Sequence, residues 1–184
     1  MLFFCLAASA CSIPRIVVLS DPLTAQEHND LGVAYELMGE ADLALGEYES
    51  AFNKDRTWDQ PLINHGNVHA GLENWELAEK SYLSALERNP DNPEAMNNLA
   101  YVLLRQGRDK QAVEWSARAV KLDPENPALL NTQARAVMQS GNHDQAQEIF
   151  QRALNKVSLD DPLYERIRLG LDESLEQMAG EAEE

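Results

Sequence analysis

Small and large side chains return along this chain at a single interval of 34 residues. Laid against itself at that shift, the sequence gives four blocks without insertion or deletion: 25–58, 59–92, 93–126 and 127–160. Position 8 of each block is small, being Gly32, Gly66, Ala100 and Ala134. Position 20 is Ala44, Ala78, Ala112 and Ala146, and position 27 is Ala51, Ala85, Ala119 and Ala153. Alanine is 23 of 184 residues, so eight hits in eight fixed places have a chance of roughly 10⁻⁷, which excludes accident. Bulk has its own places: Leu31 and Leu99 at position 7, Tyr35 at 11, and Tyr48, Tyr82 and Phe150 at 24. Small residues at 8, 20 and 27 let two helices approach closely, and large ones at 4, 7, 11 and 24 fill the gaps between neighbours. The spacing therefore predicts two helices per block, A and then B. Gly39, Gly107 and Gly141 stand at position 15, where helix A ends and a left-handed residue is needed. Pro90-Asp91-Asn92-Pro93 and Pro124-Glu125-Asn126-Pro127 stop helix B and start the next helix A. Departures from the pattern include Arg56 in place of proline, Glu73 at position 15 and Ser116 at position 24.

This pattern resembles the tetratricopeptide repeat, a helix–turn–helix unit of 34 residues. The resemblance covers 25–160 and implies an all-α, right-handed helical solenoid of four tetratricopeptide repeats. After the fourth block, Asp161-Pro162 reads as an N-cap followed by proline at the first helical position. Leu163, Ile167, Leu171, Leu175 and Met178 then form one apolar stripe at helical spacing. A fifth repeat would place Arg168 at the small position 8. A charge there fits a C-terminal capping helix over 161–178 that packs on one side only, followed by an acidic tail at 179–184.

The first ten residues are uncharged and apolar, and they end in Ser9-Ala10 before Cys11. Residues 1–10 resemble the export signal of a bacterial lipoprotein, which implies that Cys11 is the acylated first residue. Ala8 is a weaker match than the Leu usual in that family. Ser12 rather than Asp follows the cysteine, and by the same resemblance that favours the periplasmic side of the outer membrane. The alternative is a buried N-terminal segment of a cytoplasmic protein. Residues 11–24 form an extended linker, since Pro14, Pro22 and the β-branched run Ile16-Val17-Val18 disfavour helix. That run is either a spacer lying on the first repeat or a strand offered to a partner's sheet edge.

Charge narrows the partners. Fifteen basic against thirty-one acidic side chains give a net charge of −16, which repels phosphate backbones, so no nucleic-acid partner is expected. No apolar run approaches the ~18 residues of a spanning helix, which leaves the lipid on Cys11 as the expected link to a membrane. Two cysteines make neither a disulfide framework nor a four-ligand zinc site.

Chemistry is sparse. His65 and His69 stand four apart on a predicted helix and offer two metal ligands, but Gly66 follows the first histidine where a metalloprotease needs glutamate. Both occupy packing positions, 7 and 11, so a packed pair is expected and a metal-dependent enzyme is the remote alternative. His28 and His143 have no third ligand in the sequence. No nucleophile elbow, phosphate-binding glycine loop or dinucleotide fingerprint is present, and no cofactor is expected. Trp75 and Trp115 fall at helix B positions and read as core.

Helix A positions 2, 5, 6, 9, 12 and 13 recur at spacings of three and four and project together, away from the packing positions. They carry Asn29, Asn64, Asn67, Asn97, Asn98 and Asn131, with Tyr101, Arg105 and Arg135. Asparagine is poor inside helices because its amide competes for backbone hydrogen bonds, so six on one face carry a propensity cost that packing does not explain. Their amides complement the C=O and N–H of an extended peptide. The row resembles the asparagine ladder of peptide-binding tetratricopeptide grooves. The alternative is repeat consensus inherited without a ligand. The carboxylate clamp of the co-chaperone subclass is absent from the first two repeats, where Asn29, Val33 and Asn64 replace its basic residues. The expected function is a non-catalytic adaptor or scaffold, holding a partner segment in its groove and helping to assemble an envelope complex of pilus or secretion type. A soluble cytosolic scaffold is the alternative.

Overall fold

A computed structural model describes residues 21–181. The expected export signal at 1–10, the expected acylation site Cys11, the Ile16-Val17-Val18 segment and residues 182–184 of the acidic tail lie outside the described residues. Among those described, nine α-helices follow one another: α1 (Ala25–Leu37), α2 (Ala41–Lys54), α3 (Gln60–Gly71), α4 (Trp75–Arg88), α5 (Pro93–Arg105), α6 (Asp109–Leu122), α7 (Pro127–Gln139), α8 (His143–Leu154) and α9 (Pro162–Glu181). Each 34-residue block is one A–B pair, as the spacing predicts.

Local chemistry sets the helix ends. Thr24 and Glu27 form a reciprocal capping box at the start of α1, in which the Thr24 hydroxyl accepts from the Glu27 amide and the Glu27 carboxylate accepts from the Thr24 amide. Asn92 and Asn126 cap α5 and α7 by accepting from the amides of Ala95 and Ala128, with Pro93 and Pro127 next in line. Gly39, Gly107 and Gly141 take positive φ where helix A ends. Glu73, at the same place in the second repeat, is forced to a φ of 59°.

Packing follows the repeat. All eight alanines of positions 20 and 27 are fully buried. The position-24 rings of Tyr48 and Tyr82 press on the position-8 glycines Gly32 and Gly66. In the third repeat the same two places hold Ala100 and Ser116, and in the fourth Ala134 and Phe150, whose ring lies against Gly170. A helices run close against the next A helix all along the chain (α1–α3, α3–α5, α5–α7, α7–α9), whereas successive B helices stand farther apart, and Arg88 of α4 reaches across to lie over the Phe52 ring of α2 at 5.6 Å. One face is thus a continuous row of A helices. The other has gaps between B helices.

The cap differs in detail from its expected stripe. α9 buries Ile167, Gly170 and Ser174, while Leu163, Leu171 and Met178 are half-buried and Leu175 is exposed. The contact face shifts because Gly170, lacking a Cβ, receives the ring of Phe150 from α8. Arg168 points to solvent and pairs with Glu165 at 3.0 Å. The helix also runs to Glu181, past the residue 178 expected, so the acidic stretch begins as helix.

Candidate functional site

The asparagines of the A-helix row are not equivalent. In the N-terminal half they bond to one another across repeats. Asn64 Nδ2 donates to Asn29 Oδ1 at 2.9 Å, joining α3 to α1, and Gln60 donates to Asn64 Oδ1 at 3.1 Å. Asn98 Nδ2 donates to Asn67 Oδ1 at 3.0 Å, joining α5 to α3, and the Tyr82 hydroxyl donates to the same oxygen at 2.8 Å. Packing therefore does explain part of the propensity cost, contrary to the sequence expectation: these amides tie successive A helices together.

No such link joins α5 to α7. Asn97 Nδ2 donates only sideways, to Asn98 Oδ1 at 3.3 Å, and Asn97 Oδ1 is buried without a partner. Asn131, buried on α7, likewise has an unpartnered Oδ1. Tyr101 and Arg105 are exposed and Arg135 is half-buried. The Arg105 guanidinium lies over the Trp75 ring, 4.7 Å from its centroid, and donates to the Tyr101 hydroxyl at 3.3 Å. Trp75 meets Tyr101 edge-on. Half-buried against the core, Trp75 also orients a groove cation, a role the sequence alone did not suggest.

A depression of about 300 Å³ lies at this end of the row, lined by Tyr101, Leu104, Arg105, Asn131, Thr132, Arg135, Gln139 and Arg166. Leu104, Thr132 and Gln139 occupy groove positions 12, 6 and 13 of their repeats, and Arg166 is added from beyond the four blocks. The signal for Arg166 was present, because counting a fifth block from residue 161 puts it at groove position 6.

His65 and His69 form a packed pair, with ring centroids 4.6 Å apart and edge-on. They floor a cavity of about 500 Å³ on the B-helix side, with Phe52, Leu62, Leu77 and Arg88 among its walls. The Ser81 hydroxyl donates to the Leu77 carbonyl, so the His65 Nδ1 at 2.9 Å must donate to Ser81. Burial, and then the neighbouring His69 ring, push the His65 imidazole down to about 4. Burial lowers His69 as well, against the pull of Glu49. Among the described residues no three His, Cys, Asp or Glu side chains are grouped to hold a metal ion. No helix among them is long and apolar enough to cross a membrane.

Two sequence models described as tetratricopeptide repeat match residues 63–127 and 116–169, and together they span more than half of the chain. No curated protein matches in sequence. Solved structures do match in shape. A crystal structure of YrrB, described as a TPR protein with an unusual peptide-binding site, is 19% identical with a TM-score of 0.67, over 84% of this chain and 78% of that one. A MamA RS-1 ArsTM double mutant is 17% identical with a TM-score of 0.72, over 84% and 85%. A thermophilic TPR protein from Thermus thermophilus is 20% identical with a TM-score of 0.69, over 84% and 83%.

Proposed function

The chain belongs to the tetratricopeptide repeat family, and from that premise we propose that it is a non-catalytic adaptor whose A-helix groove holds an extended segment of a partner protein. The observation that carries this reading is the pair of buried acceptors, Asn97 Oδ1 and Asn131 Oδ1, left without partners beside the exposed Tyr101. A buried acceptor without a donor costs about 1–3 kcal/mol, and the N–H groups of an extended segment supply such donors. YrrB, alike in shape, is described as having an unusual peptide-binding site, which supports peptide binding by a fold of this shape. The N-terminal asparagines, engaged with each other, set the spacing of the groove, and Asn97, Asn131, Tyr101, Arg105 and Arg135 contact the partner. Affinity purification with the wild-type chain and with an Asn97→Ala, Asn131→Ala variant tests this. The variant is expected to lose a protein that the wild type retains, and identical sets of captured proteins would overturn the reading.

The proposal extends to place. Cys11 is acylated and holds the adaptor on the periplasmic side of a bacterial outer membrane, where it helps assemble an envelope complex of pilus or secretion type. Support comes from the apolar stretch ending in Ser9-Ala10-Cys11 and the prolines of the linker. Acyl chains contribute about 0.8 kcal/mol per buried CH₂, so a multiply acylated protein stays with membranes. Cys11→Ser is expected to move the protein from the detergent-extracted membrane fraction to the soluble one or to leave it unprocessed. Equal fractionation of both forms would remove the anchor from the proposal.

A further inference from the structure

Positive charge is scarce in this chain, and part of what the fold positions is already neutralised. Arg108 pairs with Glu79 at 2.6 Å, Lys54 with Asp21 at 3.1 Å, Arg168 with Glu165, and Lys156 with Glu125. Three guanidinium groups that form no ion pair among the described residues converge on the C-terminal depression. Arg105 is held by a ring face and a phenol, and neither Arg135 nor Arg166 has a hydrogen bond or ion pair among the described residues. They come from three successive A-type helices, α5, α7 and α9, and line one depression. The buried, unpartnered Asn131 Oδ1 belongs to the same lining. Asp109 and Glu173 lie in the adjoining depression, whose lining shares Arg135, and neither forms an ion pair with it.

We infer that this end of the groove is a subsite for an acidic stretch of the partner segment, at least two neighbouring Asp or Glu side chains, read by Arg105, Arg135 and Arg166 while Asn131 accepts a backbone N–H. The inference rests on the groove reading above and adds the partner's chemistry to it. Three uncompensated cations exceed the single charge of a chain terminus, which favours an internal acidic run. A guanidinium presents parallel N–H groups that match a carboxylate, and stacking on Trp75 holds Arg105 ready for that pairing. The net charge of −16 opposes any acidic ligand at long range. At physiological salt fields decay within about 8 Å, so local cations decide what binds. That opposition also makes the test selective, because an acidic peptide has no general attraction to this surface.

The test uses a displayed library of random peptides selected on the full chain, followed by titration of the best sequence as an acetylated, amidated peptide. The wild type is expected to select peptides with adjacent acidic residues, whose affinity falls as salt is raised. Arg135→Gln with Arg166→Gln is expected to weaken the peptide about tenfold or more, two partly exposed charge pairs being lost. Thermal melts of the variant check folding, and the salt dependence of the wild type needs no variant at all. Selected peptides without acidic preference would overturn this inference and leave the groove reading standing. A wild type that selects no peptide would overturn both. Inorganic phosphate binding as tightly as the peptide, or binding that requires a free terminal carboxylate, would overturn the assignment to acidic side chains.

Discussion

Cε1 of the Tyr82 ring stands 2.5 Å from the point that a Cβ on Gly66 would occupy. Tyr48 bears on Gly32 in the same way, at 2.6 Å. Gly66→Ala is therefore expected to destabilise by about 1–3 kcal/mol through overpacking, although alanine is the better helix former. Gly46, inside α2, has nothing within 4 Å of its Cβ position. Gly46→Ala should instead stabilise by about 0.5–1 kcal/mol. Urea unfolding of the two variants measures both signs, and a stabilised Gly66→Ala would mean that the Tyr82 ring yields freely.

Glu73 holds the left-handed conformation that glycine holds in the other three repeats. For an L-residue with a Cβ this costs roughly 1–2 kcal/mol, partly offset by glycine's greater freedom in the unfolded chain. Glu73→Gly is expected to raise the unfolding free energy by about 1 kcal/mol. An unchanged urea midpoint would show that the turn is relaxed with glutamate in place.

The two kinds of asparagine should separate by mutation. Asn64→Ala leaves the buried Asn29 Oδ1 without its donor, so a loss of about 1–3 kcal/mol is expected. Asn97→Ala removes an unpartnered oxygen and improves helix propensity, so stability should hold or rise. Thermal melts of the two single variants decide. Equal losses would mean that the cross-repeat amide bond contributes nothing particular.

Two histidines should give the stability opposite pH dependences. Burial pulls His28 down, but its hydrogen bonds to Glu47 at 2.6 Å and Asp21 at 2.5 Å outweigh that and raise it above 6.5. Its contribution is fully present below the unfolded value of 6.5 and is lost as pH rises through the raised folded value. His65 is the reverse. Below 6.5 the unfolded chain takes up a proton that the folded one refuses until about 4, so stability falls as pH drops through that window. Urea unfolding across this range should find the advantage of wild type over His28→Leu shrinking toward alkaline pH. His65→Leu should lessen the acid-side decline. An advantage of wild type over His28→Leu that grew with pH would contradict the carboxylate contacts.

Local and periodic information lies in the sequence itself, and it determined the architecture. The 34-residue spacing of Ala44, Ala78, Ala112 and Ala146 gave helix number, pairing and register, because each repeat packs mainly against its sequence neighbours. Capping residues such as Asn92-Pro93 placed helix starts for the same reason. Which amides bond to a neighbouring helix and which do not was decided only by the tertiary structure. Asn64 and Asn97 occupy neighbouring groove positions in their repeats, yet one is bonded to the adjacent helix and the other keeps a vacant acceptor. That difference depends on whether the next A helix brings a complementary side chain within about 3 Å, a relation between residues some 35 positions apart. The cap shows the same limit. Its apolar stripe foretold a helix, but the contact of Gly170 with Phe150 set the buried face and left Leu175 in solvent, since ring and backbone shapes at an interface are joint properties of two helices.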